Sequence, residues 1–268
     1  MKSLKKPVAI LFAVIMFISV LTGCAKRELS NITTAAPEIT TMKSETTSIK
    51  VDSTAESKID AKVRKIIQFG SYEQDNNTDN GKEKINWYVL LVKNGKALLL
   101  SEKILDCKPY NETNTDVTWE TCTLRTWLNN DFYNSAFSSA EQARIVKSNV
   151  VNENNPWFGI VGGNNTNDKI FLLSFSEAMN TAYGFSSDYS NFDTARRAQG
   201  TDFAINNGLD VYNGDIPYVG NSSWWLRSPG YDLDCAGFIG PMGYVNGNIG
   251  DGVFCAVVGV RPALWLKL

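Results

Sequence analysis

The amino-acid sequence predicts an α+β fold of small antiparallel sheets, two flanking helices and long irregular loops. Three observations carry that expectation. Short runs rich in β-branched and aromatic residues stand at both ends of the folded part, and two helix-start signals lie between them. From Thr181 to Ser223, Asn, Asp, Gly, Ser and Tyr dominate without hydrophobic periodicity. A loop region of that length is uncommon unless it is functional or disordered.

Taken in order, Ile66 to Tyr72 and Trp87 to Val92 read as strands. Lys93-Asn94-Gly95-Lys96 carries the Asn-Gly signature of a type I′ hairpin and leads into a third strand, Ala97 to Ser101. Thr118 is the expected cap of a helix with Leu124, Trp127 and Leu128 on one face and Asn129 and Asn130 at its end. Ser138-Ser139-Ala140-Glu141 is a capping box that opens a second helix through Ile145, and Ser174 to Glu177 repeats the pattern after a buried-strand run from Ile170 to Ser174. Order returns at Trp224 to Gly230, Phe238-Ile239, Tyr244-Val245 and Val257 to Leu266. Pro262 inside the last run places that strand at or near an edge. Trp224 and Trp225 are neighbours on a strand, so they face opposite ways, one into the core and the other outward.

Ahead of these elements the chain reads as an address and a tether. Lys2, Lys5 and Lys6 precede a run from Pro7 to Leu21 that is apolar apart from Ser19, followed by Leu21-Thr22-Gly23-Cys24. This is a basic n-region, a short h-region and a cleavage site. The run is short of the roughly 20 apolar residues that span a bilayer. Residues 1–23 are therefore expected to be a signal peptide. Residues 24–58 hold many Ser and Thr, and no aromatic residue occurs between Cys24 and Gln68. Such a segment cannot offset its ordering entropy by burial and is expected to be a disordered tether. Residues 59–268 then form one domain, long enough to bury roughly 70% of its unfolded surface.

Composition removes several function classes. The 268 residues contain no histidine, which excludes Ser-His-Asp and Cys-His nucleophile systems, His-ligated zinc and an imidazole base. With a pI of about 5.4 and no block of Lys or Arg beyond residue 6, nucleic acid is not expected as a partner. Cleavage before Cys24 removes three positive charges and no negative ones. The remaining 23 basic and 28 acidic residues give −5, which does not favour tight docking onto anionic lipid.

Several motifs carry a resemblance. Leu21-Thr22-Gly23-Cys24 resembles the lipobox of bacterial lipoproteins, which implies that Cys24 is diacylated and anchors the chain to the membrane on its extracytoplasmic face. Gln68 to Tyr72, Trp119-Glu120 with Leu124 to Asn129, Phe171 to Ser174, Trp225-Leu226-Arg227-Ser228-Pro229-Gly230 and Gly259-Val260-Arg261-Pro262-Ala263-Leu264 follow one another in that order. The set is similar to an uncharacterised family of bacterial surface lipoproteins, a domain of unknown function. That family is related in fold to C-type-lectin-like domains of the sulfatase-modifying-factor and retroelement-variable-protein type. The resemblance implies that the first and last strands, Gln68 to Tyr72 and Val260 to Leu266, pair, and that the irregular loops make the ligand surface. It carries over no activity. The Glu-Pro-Asn and Trp-Asn-Asp calcium-sugar motifs of true C-type lectins are absent.

The candidate chemistries each have a plain rival. Cys107, Cys122, Cys235 and Cys255 are expected to form disulfides, Cys107 with Cys122 and Cys235 with Cys255, or to be buried thiols; the rival is a copper-dependent oxidase that uses a thiol pair. Asp75 to Gly81 imitates a calcium loop, but the Gly falls one place late and Asn86 stands where a Glu is needed, so a solvated turn is the reading. Asp232, Asp234 and Asp251 are the other calcium option, with no metal as the expectation. Arg125, Arg227 and Arg261 sit inside apolar motifs and are expected in ion pairs with carboxylates such as Glu120 or Glu177. Trp224, Tyr231, Asp232, Tyr244, Asn246, Asn248 and Asp251 are the candidate ligand residues, because aromatic and amide groups together suit a glycan or protein ligand. Ordinary hairpin-loop chemistry explains the same residues. The functional expectation is a noncatalytic, lipid-anchored recognition module without cofactor. The alternatives are an extracytoplasmic oxidase resembling the formylglycine-generating enzymes and a structural envelope protein.

Overall fold

Local chemistry lays down the first three strands. β1 (Ile66–Tyr72) pairs antiparallel with β2 (Glu83–Lys93), which turns at Asn94-Gly95 into β3 (Lys96–Ser101). Both turn residues take positive φ, 52° and 65°, the type I′ geometry that matches strand twist. β1 shifts register between Gln68 and Ser71, and Gly70 at that shift has φ 71° with the Phe137 ring where a Cβ would lie. Only glycine fits both conditions. The computed structural model describes residues 65–268; the expected signal peptide at 1–23, Cys24 and the expected tether at 24–58 lie outside the described residues.

A two-residue strand, β4 (Asp106–Cys107), precedes a helical segment made of α1 (Thr123–Trp127), a π-helical turn at Leu128–Phe132 and α2 (Tyr133–Ala136). Its cap is Cys122 rather than Thr118, and it continues through Asn129 instead of ending there. Asn129 spends its side chain elsewhere, donating to Ile170 O at 2.9 Å and accepting from Lys169 N at 2.8 Å. The helix stop expected of an Asn is replaced by a tether to the next sheet segment. α3 (Ser139–Gln142) opens on the Ser138 capping box, but it is one turn long, and Ile145 already belongs to β5 (Ile145–Val146).

β6 (Ser148–Val150), β7 (Thr166–Asp168) and β8 (Ile170–Phe171) follow, then α4 (Phe175–Ala178) with a complete capping box at Ser174 and Glu177. Between α4 and β9 (Trp224–Pro229) the regular structure is a 3-10 turn at Thr181–Tyr183 and α5 (Asp202–Asn206). β10 (Cys235–Ile239), β11 (Val245–Gly252), β12 (Gly259–Val260) and β13 (Ala263–Lys267) complete the chain.

The fold class is α+β. One sheet has the order β1-β2-β3-β13-β5, with β8 also paired to β13; a second has the order β11-β10-β9-β12-β4; β6 and β7 form a separate pair. The terminal strands share the first sheet, but they do not pair. The loop at 73–82 and the Asn94-Gly95 turn lay β1, β2 and β3 side by side, and the returning strand takes the open edge of β3. Pro262 does not mark an edge either. It lies between β12 in the second sheet and β13 in the first, so its missing N–H falls at the crossing between sheets, and β13 has neighbours on both sides.

One apolar cluster joins both sheets and the helical segment. Every residue of β9 is buried, including Trp224 and Trp225, because the second sheet is covered on both faces. Among the described residues no helix is long and apolar enough to cross a membrane.

Candidate functional site

The turns on either side of β10 lie at opposite ends of one ladder. Cys235 faces Gly252 at one end, and Ile239 faces Val245 and Trp224 at the other. Tyr231 and Asp232, both exposed, stand at the first end with half-buried Asp251; Tyr244 and Asn246 stand at the second. Four strand rises, roughly 13 Å, separate the two groups. The residues expected to bind one ligand therefore divide into two places, with Asn248 on the strand between them. Trp224 leaves the set altogether. It is fully buried, donates from Nε1 to Arg196 O at 3.0 Å and lies under the Arg261 guanidinium, 4.9 Å from ring centroid to Cζ. Asn246 is buried as well, with its Oδ1 accepting from Gly250 N at 3.3 Å.

The second end carries a surface that the sequence does not announce. Residues 186–193 cross the β10–β11 turn, where Tyr189 O accepts from Val245 N at 2.8 Å and Gly243, at φ 90°, packs against the backbone of Asp193 with no room for a Cβ. This crossing brings two chains of aromatic rings together. Phe175, Trp157 and Tyr189 are in edge contact at 5.1 and 5.3 Å; Phe192 meets Tyr218 edge-on at 5.7 Å and Tyr244 in a tilted pair at 6.1 Å. Tyr189 is 43% and Phe192 48% exposed, while Tyr218 and Tyr244 are half-buried beneath them. Arg197 lies 4.6 Å from the Tyr218 ring centroid and closes one side.

What fixes this loop is Arg196. It is fully buried and donates from Nε to Gly243 O at 2.6 Å, from one terminal nitrogen to Ser186 O at 2.8 Å and Ala178 O at 3.3 Å, and from the other to Asp188 O and Asn191 O at 2.9 Å. Burial lowers its pKa, and Asp193, 3.7 Å away, and Asp188 oppose that shift. Five carbonyls from three chain segments converge on one guanidinium, so the exposed rings stand on a fixed base. In sequence Arg196 shows only as an arginine after Ala195 in an irregular region, and its acceptors are backbone atoms that no residue type reveals.

A family model for a domain of unknown function, DUF6273, matches residues 94–268. The chain belongs to that family. No curated protein and no solved structure matches the chain. The family segment begins inside the β2–β3 turn, and it contains the aromatic surface, all four thiols and the buried arginines.

Neither expected disulfide of the DUF6273 segment is formed; Cys107, Cys122, Cys235 and Cys255 are free and buried. Each sulfur has its own surroundings. Cys107 Sγ points to Ala256 O at 3.2 Å, Cys122 Sγ to Trp119 O at 3.5 Å and Cys235 Sγ to Asp234 Oδ1 at 3.3 Å. Burial pushes the Cys107, Cys122 and Cys235 thiols up to about 12, assisted at Cys107 by Asp106 and at Cys235 by Asp234. Such thiols stay protonated at neutral pH and are poor nucleophiles. Tyr231 is tied to the same corner, its phenol raised by its bond with Cys235. Asp251 is raised by burial, against hydrogen bonds from Gly252 N and Cys255.

The arginines of the motifs serve structure. Arg227 pairs with Glu177, as expected, and also donates to Leu172 O at 2.7 Å and Val151 O at 3.0 Å. Arg125 takes Asp168 instead of a glutamate side chain, at 2.8 Å from both Nε and Nη2, and meets Glu120 through its carbonyl. Arg261, fully buried, donates to the carbonyls of Ser101, Arg196 and Glu102. The calcium-like loop places Glu73, Asp75 and Glu83 oxygens within 4.8 Å of one another. Each carboxylate accepts from a backbone amide of the same loop, Gln74 N, Asn77 N or Asp75 N, which makes it a self-capped turn.

Proposed function

We propose that this chain is a lipid-anchored, extracytoplasmic recognition module that binds a glycan on the aromatic surface of Tyr189, Phe192, Tyr218 and Tyr244, without catalysis. The observation that carries the reading is the pair of exposed rings, Tyr189 and Phe192, held in place by the five carbonyl bonds of Arg196. Rigid aromatic side chains offer a large amphipathic contact area at little entropic cost, and sugar rings present apolar faces that stack on them. The anchor in this proposal is Cys24, acylated after removal of residues 1–23, with residues 24–58 as a spacer. The lectin-like kinship belongs to the same proposal. It is supported by the long irregular region between α4 and β9 and by the return of β13 into the first sheet. High thiol pKa values at Cys107, Cys122 and Cys235 favour a binder over a thiol-dependent oxidase.

Two experiments test the proposal. Glycan arrays and isolated envelope polysaccharides presented to the purified chain should give a ligand whose affinity falls at least about tenfold in Phe192→Ala, as expected for one stacking ring lost. Binding that survives both Tyr189→Ala and Phe192→Ala, or that appears only with proteins, removes the glycan reading. For the anchor, a fatty-acid analogue fed to cells should label the wild type and not Cys24→Ala.

A further inference from the structure

The first sheet carries a second surface of different chemistry. Strand register sets Lys93 of β2 opposite Lys96 of β3, and Lys96 opposite Lys267 of β13. Registered partners project from the same face, so three ammonium-bearing side chains stand in a row on adjacent strands, about 5 Å apart. Arg144, just ahead of β5, is tied to the backbone at the end of the row rather than added to it: Lys267 N donates to Arg144 O at 2.9 Å, the Arg144 guanidinium donates back to Lys267 O at 3.2 Å, and its Cζ lies 5.6 Å from the Phe69 ring centroid. Like charges directly opposite on paired strands cost stability.

Beside the row, a cleft of about 330 Å³ is lined by Lys93, Lys96 and Lys147, with half-buried Trp265 and Val146 among its walls. Lys147 also lines a second cleft of about 270 Å³, where Arg125 and Lys169 add two more cations. The one carboxylate in either lining is Asp168, and Arg125 already holds it at 2.8 Å. Among the described residues, the Lys93, Lys96 and Lys147 ammonium groups have no ion-pair partner. Residues 65–268 carry 16 basic and 22 acidic side chains, so these cations gather against the charge of their own domain.

The geometry points to a binding site for a linear polyanion with phosphodiester charges, lying from the β2–β3 turn across Lys147 to Lys169. Lysines act as single-point charges, which suits one phosphate per repeat, whereas paired recognition of carboxylates favours the arginine fork. Two clefts joined by a shared lysine admit a flexible chain and not a planar bilayer. Trp265 gives the uncharged part of each repeat an apolar contact. This site runs from the first sheet to the helical segment and β7, and shares no residue with the aromatic surface beside the second sheet.

Inorganic polyphosphate is the probe, titrated into the full purified chain by anisotropy of a labelled polymer over a range of salt. Binding should weaken linearly in log–log form as salt rises. The triple variant Lys93→Gln/Lys96→Gln/Lys147→Gln should lose at least about tenfold in affinity and flatten the slope by about two to three, the number of phosphate contacts removed. Its thermal midpoint should be unchanged or higher, since two opposed lysines are neutralised, and Lys96→Gln alone should show the same sign on both readouts. Lys65→Gln/Lys82→Gln/Lys103→Gln, an equal charge change elsewhere, should leave affinity within about twofold. Equal losses in both triple variants, or Lys147-dependent binding to phosphatidylglycerol vesicles but not to polyphosphate, would overturn the proposal.

Discussion

The sheet of β1, β2, β3 and β13 and the irregular stretch between residues 180 and 223 satisfy their buried backbone groups in different ways. In the sheet the N–H and C=O groups along the paired strands meet one another, and burial of residues such as Leu98, Leu99 and Leu100 supplies the driving force. In the irregular stretch the inward carbonyls of Ser186, Asp188 and Asn191 meet a guanidinium. Sheet order is spread over many bonds, whereas loop order is concentrated in a few donors. An irregular segment can thus be as fixed as a sheet and far easier to undo.

The sharpest way to break the comparison is Arg196→Met. It removes the donor from five carbonyls, of which those of Ala178 and Gly243 are buried, and a loss of about 3 kcal/mol is expected in urea unfolding. Lys103→Ala, an exposed change beside the sheet, should stay within about 0.5 kcal/mol. If the two variants unfold alike, the loop does not depend on its arginine. Glu177→Gln comes next. It leaves Arg227, only 4% exposed, without its carboxylate but with its two carbonyls, and partial exposure of Glu177 lowers the expected loss to about 2 kcal/mol.

The same contrast explains what was legible in the sequence. Asn94-Gly95 and the boxes at Ser138 and Ser174 are local chemistry, written in consecutive residues, and they form as read, although the helix that Ser138 opens ends at Gln142 and not at Ile145. Pro262 and Trp224 are misread because the crossing between sheets and the second covered face of β9 depend on residues far away. Arg196 is invisible for another reason: carbonyl acceptors belong to every residue type. The aromatic surface is half legible, since Tyr244 can be chosen from its turn, while Tyr189 and Phe192 reach it only through a loop crossing. The lysine row needs the strand order, because Lys96 and Lys267 are distant in sequence.

Alkaline pH sharpens the comparison through the thiols buried in the second sheet and at the start of the helical segment. Cys107, Cys122 and Cys235 rise from an ordinary value of about 9 to about 12 on folding. The sign follows from proton binding: above pH 9 the unfolded chain loses thiol protons that the folded chain keeps, so unfolding gains. Stability should be level across the neutral range with respect to these groups, fall from about pH 9 and go on falling to about pH 12. Cys122→Ala should make that fall shallower in a thermal scan series; an unchanged profile would mean that Cys122 does not titrate in this window.

The smallest stability effect belongs to the site itself. Phe192 is 48% exposed and its contacts are the rings of Tyr218 and Tyr244, so Phe192→Ala removes little buried area and should cost less than about 1 kcal/mol. Gly243→Ala is its counterpart from below. The added methyl meets the Asp193 backbone at a positive φ, which pushes the 186–193 crossing off the hairpin and moves Tyr189 and Phe192 together. Both variants should lose ligand, the first with the unfolding midpoint nearly kept and the second with a measurable drop. A Gly243→Ala protein that binds normally would show that the rings need no fixed base, and the loop would then be an ordinary flexible one.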